Sequence, residues 1–286
     1  MSIESEEDIG TQVSSKRQLD AKDFSSTNQF GNKKTKNEPN NTTTTKSITS
    51  PLQDRKSQLA PTRLLLPVYQ FKRKITDLLE EKDVLLVVAE TGSGKSTQIP
   101  AYIDESGLFS SKKGKFAKSI CVTQPRRVAA MTVAKRVAEE RGCAIGTAVG
   151  YRVRFDDSTD TNTRIIYATD GMLLRESMSD PLLTRYSVVV LDESHERSLQ
   201  TDILFGVVSR AMAARGAVKL KDNAIPRDEV EESIDERIQR RMREKAQELR
   251  LPKLKVVVMS ATLDFAVLNL PTMLSILFCL FFHCLH

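Results

Sequence analysis

From Leu64 to Phe265 the chain alternates between short aliphatic runs and longer stretches whose apolar positions recur every three or four residues. The runs at Val84–Ala89, Ser119–Thr123, Ile165–Thr169, Ser187–Asp192 and Lys255–Ser260 are rich in Val, Ile and Leu, with few polar breaks. Near-continuous apolar runs of this length predict strands buried on both faces of a parallel sheet. Lys95–Asp104 and Val128–Arg141 carry the helical spacing between them. The rhythm predicts an α/β domain, a parallel sheet sandwiched by helices, with ligands at the carboxyl ends of the strands. Asp228–Arg250 is different. Val230, Ile234, Ile238, Met242, Ala246 and Leu249 form a narrow stripe, with Glu236 and Arg240 one turn apart. That pattern predicts a solvated surface helix rather than a binding arm.

The flanks lack this periodicity. Residues 1–60 are rich in Ser, Thr, Asn and Lys, including Thr42–Thr45, and cannot bury enough apolar surface to offset the entropy of ordering. A disordered basic and polar tail is expected there. Its Lys16-Arg17 and Lys33-Lys34-Thr35-Lys36 fit a nuclear-import signal or, more plainly, scattered charges on a solvated segment. Residues 266–286 contain no Asp, Glu, Lys or Arg. Their densest apolar part, Met273–Leu285, is shorter than the about 20 residues a spanning helix needs, so a membrane anchor is not expected. The boundaries expected are therefore a tail at 1–60, one domain at 61–265, and an aberrant apolar tail at 266–286.

Composition narrows the picture only a little. With 40% hydrophobic and 28% charged residues the chain is ordinary globular material. A net charge of +6 permits contact with nucleic acid or an anionic surface without requiring it. Apart from Cys279 and Cys284, the four cysteines lie far from any zinc-site or disulfide-framework spacing, and no secretory leader opens the chain, which points to a reducing compartment.

The first chemical signal follows the first strand. Ala89-Glu90-Thr91-Gly92-Ser93-Gly94-Lys95-Ser96 runs straight into a helix. Glycines let consecutive backbone N–H groups turn inward as an anion nest, and the helix N-terminus adds its positive end. Lys95 supplies a mobile charge for the β- and γ-phosphates, and the Ser96 hydroxyl suits Mg²⁺. The competing reading is an ordinary glycine-rich turn. The flanking strand and helix argue against it. ATP and Mg²⁺ are the ligands expected.

A second buried strand ends in Asp192-Glu193-Ser194-His195. Mg²⁺-assisted phosphoryl chemistry needs an acidic pair at such a strand end. Asp192 would hold the metal through its water shell, with Glu193 beside it at the metal and polarising the attacking water. Alone, Asp-Glu is a solvated turn and His195 a packing residue; their position after a phosphate loop and an aliphatic strand makes them specific.

Taken together these residues resemble the DEAH-box branch of superfamily 2 helicases. Ala89–Thr97 is similar to motif I, and Thr123-Gln124-Pro125-Arg126-Arg127-Val128-Ala129-Ala130 to motif Ia. Thr169–Glu176 resembles motif Ib, Asp192–Arg197 motif II, and Ser260-Ala261-Thr262 motif III. Val153–Asp157 and Asp202–Val208 look nearest to the branch of DEAH-box helicase 33. The resemblance implies a RecA-like P-loop domain and an ATP-dependent RNA helicase. Its partners would be single-stranded or duplex RNA and ribonucleoprotein components, in the nucleus or nucleolus, with the cytoplasm as the alternative. It implies that Glu90, Thr91, Ser93 and Thr97 line the nucleotide with the rest of motif I. Arg136 would stack on the base, Arg126, Arg127 and Thr169 would meet RNA, and Ser260 and Thr262 would couple to motif II. Two departures stand out. Ser194 replaces the family's alanine, and after Leu263-Asp264-Phe265 the sequence leaves the family pattern, so motifs IV to VI are not found. The alternative expectation is a catalytically incompetent ATP- and RNA-binding fragment of a truncated gene product.

Overall fold

Every one of the expected aliphatic runs becomes a strand. The computed structural model describes residues 51–109, 119–216 and 233–262, and the backbone of Leu277–Phe282. The strands are β1 (Val84–Ala89), β2 (Ser119–Gln124), β3 (Val149–Val153), β4 (Asp156–Ser158), β5 (Ile165–Thr169), β6 (Tyr186–Leu191), β7 (Lys255–Ser260) and β8 (Leu277–Phe282). The helices are α1 (Pro51–Leu64), α2 (Lys72–Glu81), α3 (Lys95–Ser106), α4 (Arg127–Arg141), α5 (Asp170–Ser179), α6 (Leu199–Gly216) and α7 (Ile234–Glu248). The strands form one sheet in the order β4-β3-β5-β2-β6-β7-β1-β8. All neighbours are parallel except β3 and β4, a short hairpin at the edge.

A strand covered on both faces must be apolar at every position, and β1 shows how that surface is shared. Leu85, Val87 and Ala89 pack with Ile75 and Leu79 of α2, Ile99 and Ile103 of α3, and Ala130 and Ala134 of α4. Val84, Leu86 and Val88 face the other way, against Leu173 of α5 and Leu204, Val208 and Met212 of α6. Three layers result, as expected. Helix α7 lies outside them, touching α6 through Ala246 and the half-buried Met242. Its exposed Ile234 and Ile238 match the solvated helix read from the sequence. Ser233 and Glu236 cap it reciprocally, while Arg240 reaches Glu244 at 3.6 Å. Residues 228–232 of that segment lie outside the described residues.

The flanking segments also differ in extent from expectation. Helix α1 starts at Pro51, so the expected boundary at 60/61 falls inside it. It is a polar helix with Leu59 buried, and its Arg55 meets Glu139 of α4 at 3.2 Å. Docking on α4, not self-burial, accounts for its order. Residues 1–50 lie outside the described residues, as do 263–276 and 283–286. Within the expected apolar tail, β8 extends the sheet beside β1, from Val84↔Leu277 to Ala89↔Phe282. No helix among the described residues is long and apolar enough to cross a membrane.

Candidate nucleotide and nucleic-acid site

The strand order decides the site. β7 lies between β1 and β6, so the carboxyl ends of all three emerge side by side. The loop after β1 carries the glycines, β6 ends at the acidic pair, and β7 ends at Ser260-Ala261-Thr262. β2 and β5 follow on the far side of β6, bringing Gln124–Arg127 and Thr169 to the same edge.

The loop after β1 needs its glycines for two separate reasons. Gly92 and Gly94 sit at φ 86° and 92°, a region open to glycine and strained for other residues. A Cβ on Gly94 would also lie 2.9 Å from Leu66 Cδ1 and 3.2 Å from Val68 Cγ1. Val68 belongs to a single 3₁₀ turn, Pro67–Phe71, whose Val68 N–H donates to the Ser93 carbonyl at 3.2 Å. This turn buttresses the loop from outside. Nothing in its composition announces that role. Gly94 then caps α3 without a side-chain bond, leaving the helix's first N–H groups available to a ligand.

Lys95 is nearly fully buried, and its ammonium donates to the carbonyls of Ala89 and Glu90. Burial pulls its pKa down, while the carboxylates of Asp192 and Glu193 pull the other way. Asp192 is 1% exposed. Burial, reinforced by the neighbouring Glu193 charge, pushes its pKa up to about 6, against hydrogen bonds from Ser96 and the Glu193 backbone and the Lys95 charge. Gln124 at the end of β2 also donates to this carboxylate. The Ser96 hydroxyl opens α3 on the same side as the Asp192 carboxylate, whose pKa it helps to hold down. They are two hard oxygen donors, the kind Mg²⁺ takes alongside water and phosphate oxygens. The donor set fits Mg²⁺.

Beyond Asp192 the chain turns sharply. Glu193 has φ 52°, Ser194–Glu196 form a 3₁₀ turn, and Arg197 has φ 49°. Ser194, fully buried, donates to the Met259 carbonyl of β7 at 3.0 Å. The residue that departs from the resemblance therefore gains a bond that alanine lacks. The Ala261 N–H donates to His195 Nδ1 at 3.3 Å. With Nδ1 accepting, Nε2 carries the proton of the neutral ring, and it faces Glu193 Oε2 at 3.5 Å. Ser260 and Thr262 bond to each other, Ser260 Oγ to the Thr262 carbonyl and the Thr262 N–H to Ser260 Oγ. The observed link from β7's end to the acidic turn thus runs through the Ala261 backbone and Met259, which the sequence reading did not single out.

Other expected residues fall as follows. Arg126 is the N-cap residue of α4, largely exposed, and Arg127 opens that helix, exposed as well. Thr169 caps α5, half-buried. Arg136 lies on α4 with its Nε 2.7 Å from Glu140, a carboxylate 3% exposed. Glu140 also accepts from Gln98 in the first turn of α3 and lies 3.5 Å from Arg63 of α1. This buried cluster ties Arg136 to the helix that carries Lys95 and Ser96.

Tyr167 was also missed. Pro100 sits inside α3, and having no N–H it leaves the Ser96 carbonyl four residues earlier without its helical partner. The Tyr167 hydroxyl, from β5, donates to that carbonyl at 2.7 Å. Burial keeps the phenol protonated, its pKa raised well above normal. A proline four residues after Ser96 is a legible sign that some donor must come from elsewhere; which donor is not legible.

The sequence profile described as DEAD/DEAH box helicase matches residues 70–222. A human protein named "Probable ATP-dependent RNA helicase DHX35" is 52% identical over 159 residues, 55% of this chain and 22% of that protein. "Probable ATP-dependent RNA helicase DHR2" of Saccharomyces cerevisiae is 53% identical over 155 residues, 54% of this chain and 20% of that protein. The match thus spans about a fifth of the length of either relative.

Proposed function

The chain belongs to the DEAD/DEAH box helicase family, and from that premise we propose that it binds Mg-ATP at the loop after β1 and single-stranded RNA along the neighbouring strand ends, as the nucleotide-binding part of an ATP-dependent RNA helicase. One observation carries the reading. β7 brings Lys95, Asp192 and Glu193 to one edge of the sheet, where burial leaves Asp192 a costly charge that a bound cation relieves. Mg²⁺, bound with the nucleotide, neutralises charge on the β- and γ-phosphates. The protein's part is to bind and orient. Gly92–Gly94 and the start of α3 hold the phosphates with backbone N–H groups, Lys95 exchanges two carbonyls for phosphate oxygens, and Ser96 with Asp192 offers the metal its protein oxygens. Glu193, with His195 Nε2 3.5 Å from its carboxylate, orients the attacking water. Arg136 reaches the base from α4.

Calorimetry tests the nucleotide half. Lys95→Ala is expected to weaken Mg-ADP binding by roughly tenfold to a hundredfold, the size of charge-assisted hydrogen bonds removed. Equal affinity for both proteins would remove the phosphate-loop assignment.

RNA enters through the strand ends beyond β6. Arg126, Arg127 and the starts of α4 and α5 present cations and unpaired helix N–H groups, which meet phosphates without reading bases. Ribonucleoprotein partners and a nuclear or nucleolar setting belong to the same proposal. Binding to oligouridylate is expected to fall steeply with salt, because neutralised phosphates release their counterions. A filter-binding titration flat in salt would contradict an electrostatic grip.

A further inference from the structure

Two side-chain links join the segment Gln124–Arg127 to the turn after β6. The buried one is Gln124 to Asp192. The exposed one is Arg126 Nη2 to Glu196 Oε1 at 3.1 Å, the arginine side chain 75% and the glutamate 32% exposed. Glu196 ends the 3₁₀ turn that begins just after Glu193. That turn is strained at both ends, since Glu193 and Arg197 are non-glycine residues at positive φ. Such residues persist only where surrounding contacts over-determine them. Among the contacts that hold it are Ser194 to Met259, Ala261 to His195, Arg197 to Asp202 and Arg126 to Glu196. The first two tie the turn to β7 and its end, and the third ties it to the start of α6. The fourth is held by an exposed cation at the start of α4, where a phosphate can compete for it.

We propose that Glu196 is a positioning residue through which RNA acts on Glu193 and His195: a backbone phosphate arriving at Arg126 displaces Glu196, and the strained turn loses its one exposed link to the start of α4. The inference rests on the RNA reading above and adds its route to the nucleotide. Without RNA, Arg126 holds the turn in the conformation described. With RNA, the guanidinium changes partner, Glu196 is released, and the segment carrying Glu193 is free to settle around the γ-phosphate and water.

A double-mutant cycle on the full 286-residue chain tests this, read by anisotropy of a short fluorescein-labelled oligouridylate at low salt. Glu196→Gln leaves Arg126 free for phosphate and is expected to tighten RNA binding by about twofold to fivefold, the scale of an exposed ion pair. Glu196→Asp keeps the charge but shortens the reach, and is expected to tighten binding as well. In an Arg126→Ala background neither change should alter affinity. Amide exchange supplies the readout on the turn itself. Residues 193–197 should exchange faster when RNA is added to the wild type, and be already fast without RNA in Glu196→Gln. If Glu196→Gln tightens binding equally with and without Arg126, the effect is general charge repulsion and the latch is overturned, while the RNA reading stands. If the wild type binds no RNA, both fall.

Discussion

Asp192→Asn is expected to make the ligand-free chain more stable at neutral pH, by up to about 3 kcal/mol, while sharply weakening Mg-nucleotide binding. The carboxyl group is buried, and its pKa is raised from 3.8 to about 6. A carboxylate whose folded pKa lies above its unfolded value binds its proton more tightly when folded. Its contribution to stability is therefore fully present below about pH 4 and is lost as pH rises through about 6. At pH 7 the ionised group costs the fold about 3 kcal/mol, from roughly two pKa units at 1.36 kcal/mol each. Asparagine keeps an acceptor for Gln124 and carries no charge, so it removes that cost. Urea denaturation at pH 7 and pH 4 checks it: the variant should gain at the higher pH and differ little at the lower. A variant no more stable than the wild type at pH 7 would mean that the hydrogen bonds and the Lys95 charge fully offset the burial of Asp192. The complementary measurement is Mg-ADP affinity, which in the wild type should fall as pH drops below about 6 and the proton competes with the metal.

Arg215→Met is expected to lower stability by about 2–4 kcal/mol, although the residue is far from the nucleotide loop in sequence and belongs to no family motif quoted above. Arg215 is in the last turn of α6 and is 5% exposed. Its Nη1 donates to the carbonyls of Leu182, Leu183 and Tyr186, and its Nε to Pro252 at 2.9 Å. One side chain thus bolts α6 to the turn before β6 and to the segment before β7. Leu183 in that turn has φ 50°, a strained conformation that the bolt helps to hold. Burial pulls the guanidinium down to about 10, so it remains charged at neutral pH and its desolvation offsets part of the gain. Methionine matches the stem and strands the carbonyls, and hydrogen bonds to a charged group contribute about 1.5–3 kcal/mol each before that offset. A urea midpoint within error of the wild type would refute the bolt. Arg215→Lys should fall between, since one ammonium cannot serve both Pro252 and the β6 turn.

Much of the site was readable because its elements obey local rules. β1, β5 and β7 begin and end where their aliphatic runs do, since a strand covered on both faces announces itself residue by residue. The loop Ala89–Ser96 was readable for the same kind of reason: glycines at positive φ leave few substitutes. What escaped depends on partners distant in the chain. Glu140 looks like a solvent-facing charge on α4, yet it is buried by Gln98, Arg63 and Arg136 from two other helices and its own. Gln124 is unremarkable until β2 is set beside β6, where it meets Asp192. Helix α1 carries a proline at position 61 and few apolar residues, so its order depends on α4 and was taken for tail. The edge hairpin β3–β4 is too short and too polar to signal a strand pair alone.

The place of β7 has a consequence for how the protein comes into being. The two halves of the phosphate site, after β1 and after β6, are made early in synthesis but are not neighbours in the sheet; residues 255–260 must slide between them. Pairing across such long stretches of chain is slow to form. A nascent chain that has not yet released β7 from the ribosome holds the loop and the carboxylates as unconnected pieces. On the proposed function, nucleotide binding would therefore wait for β7 to be seated between the two halves.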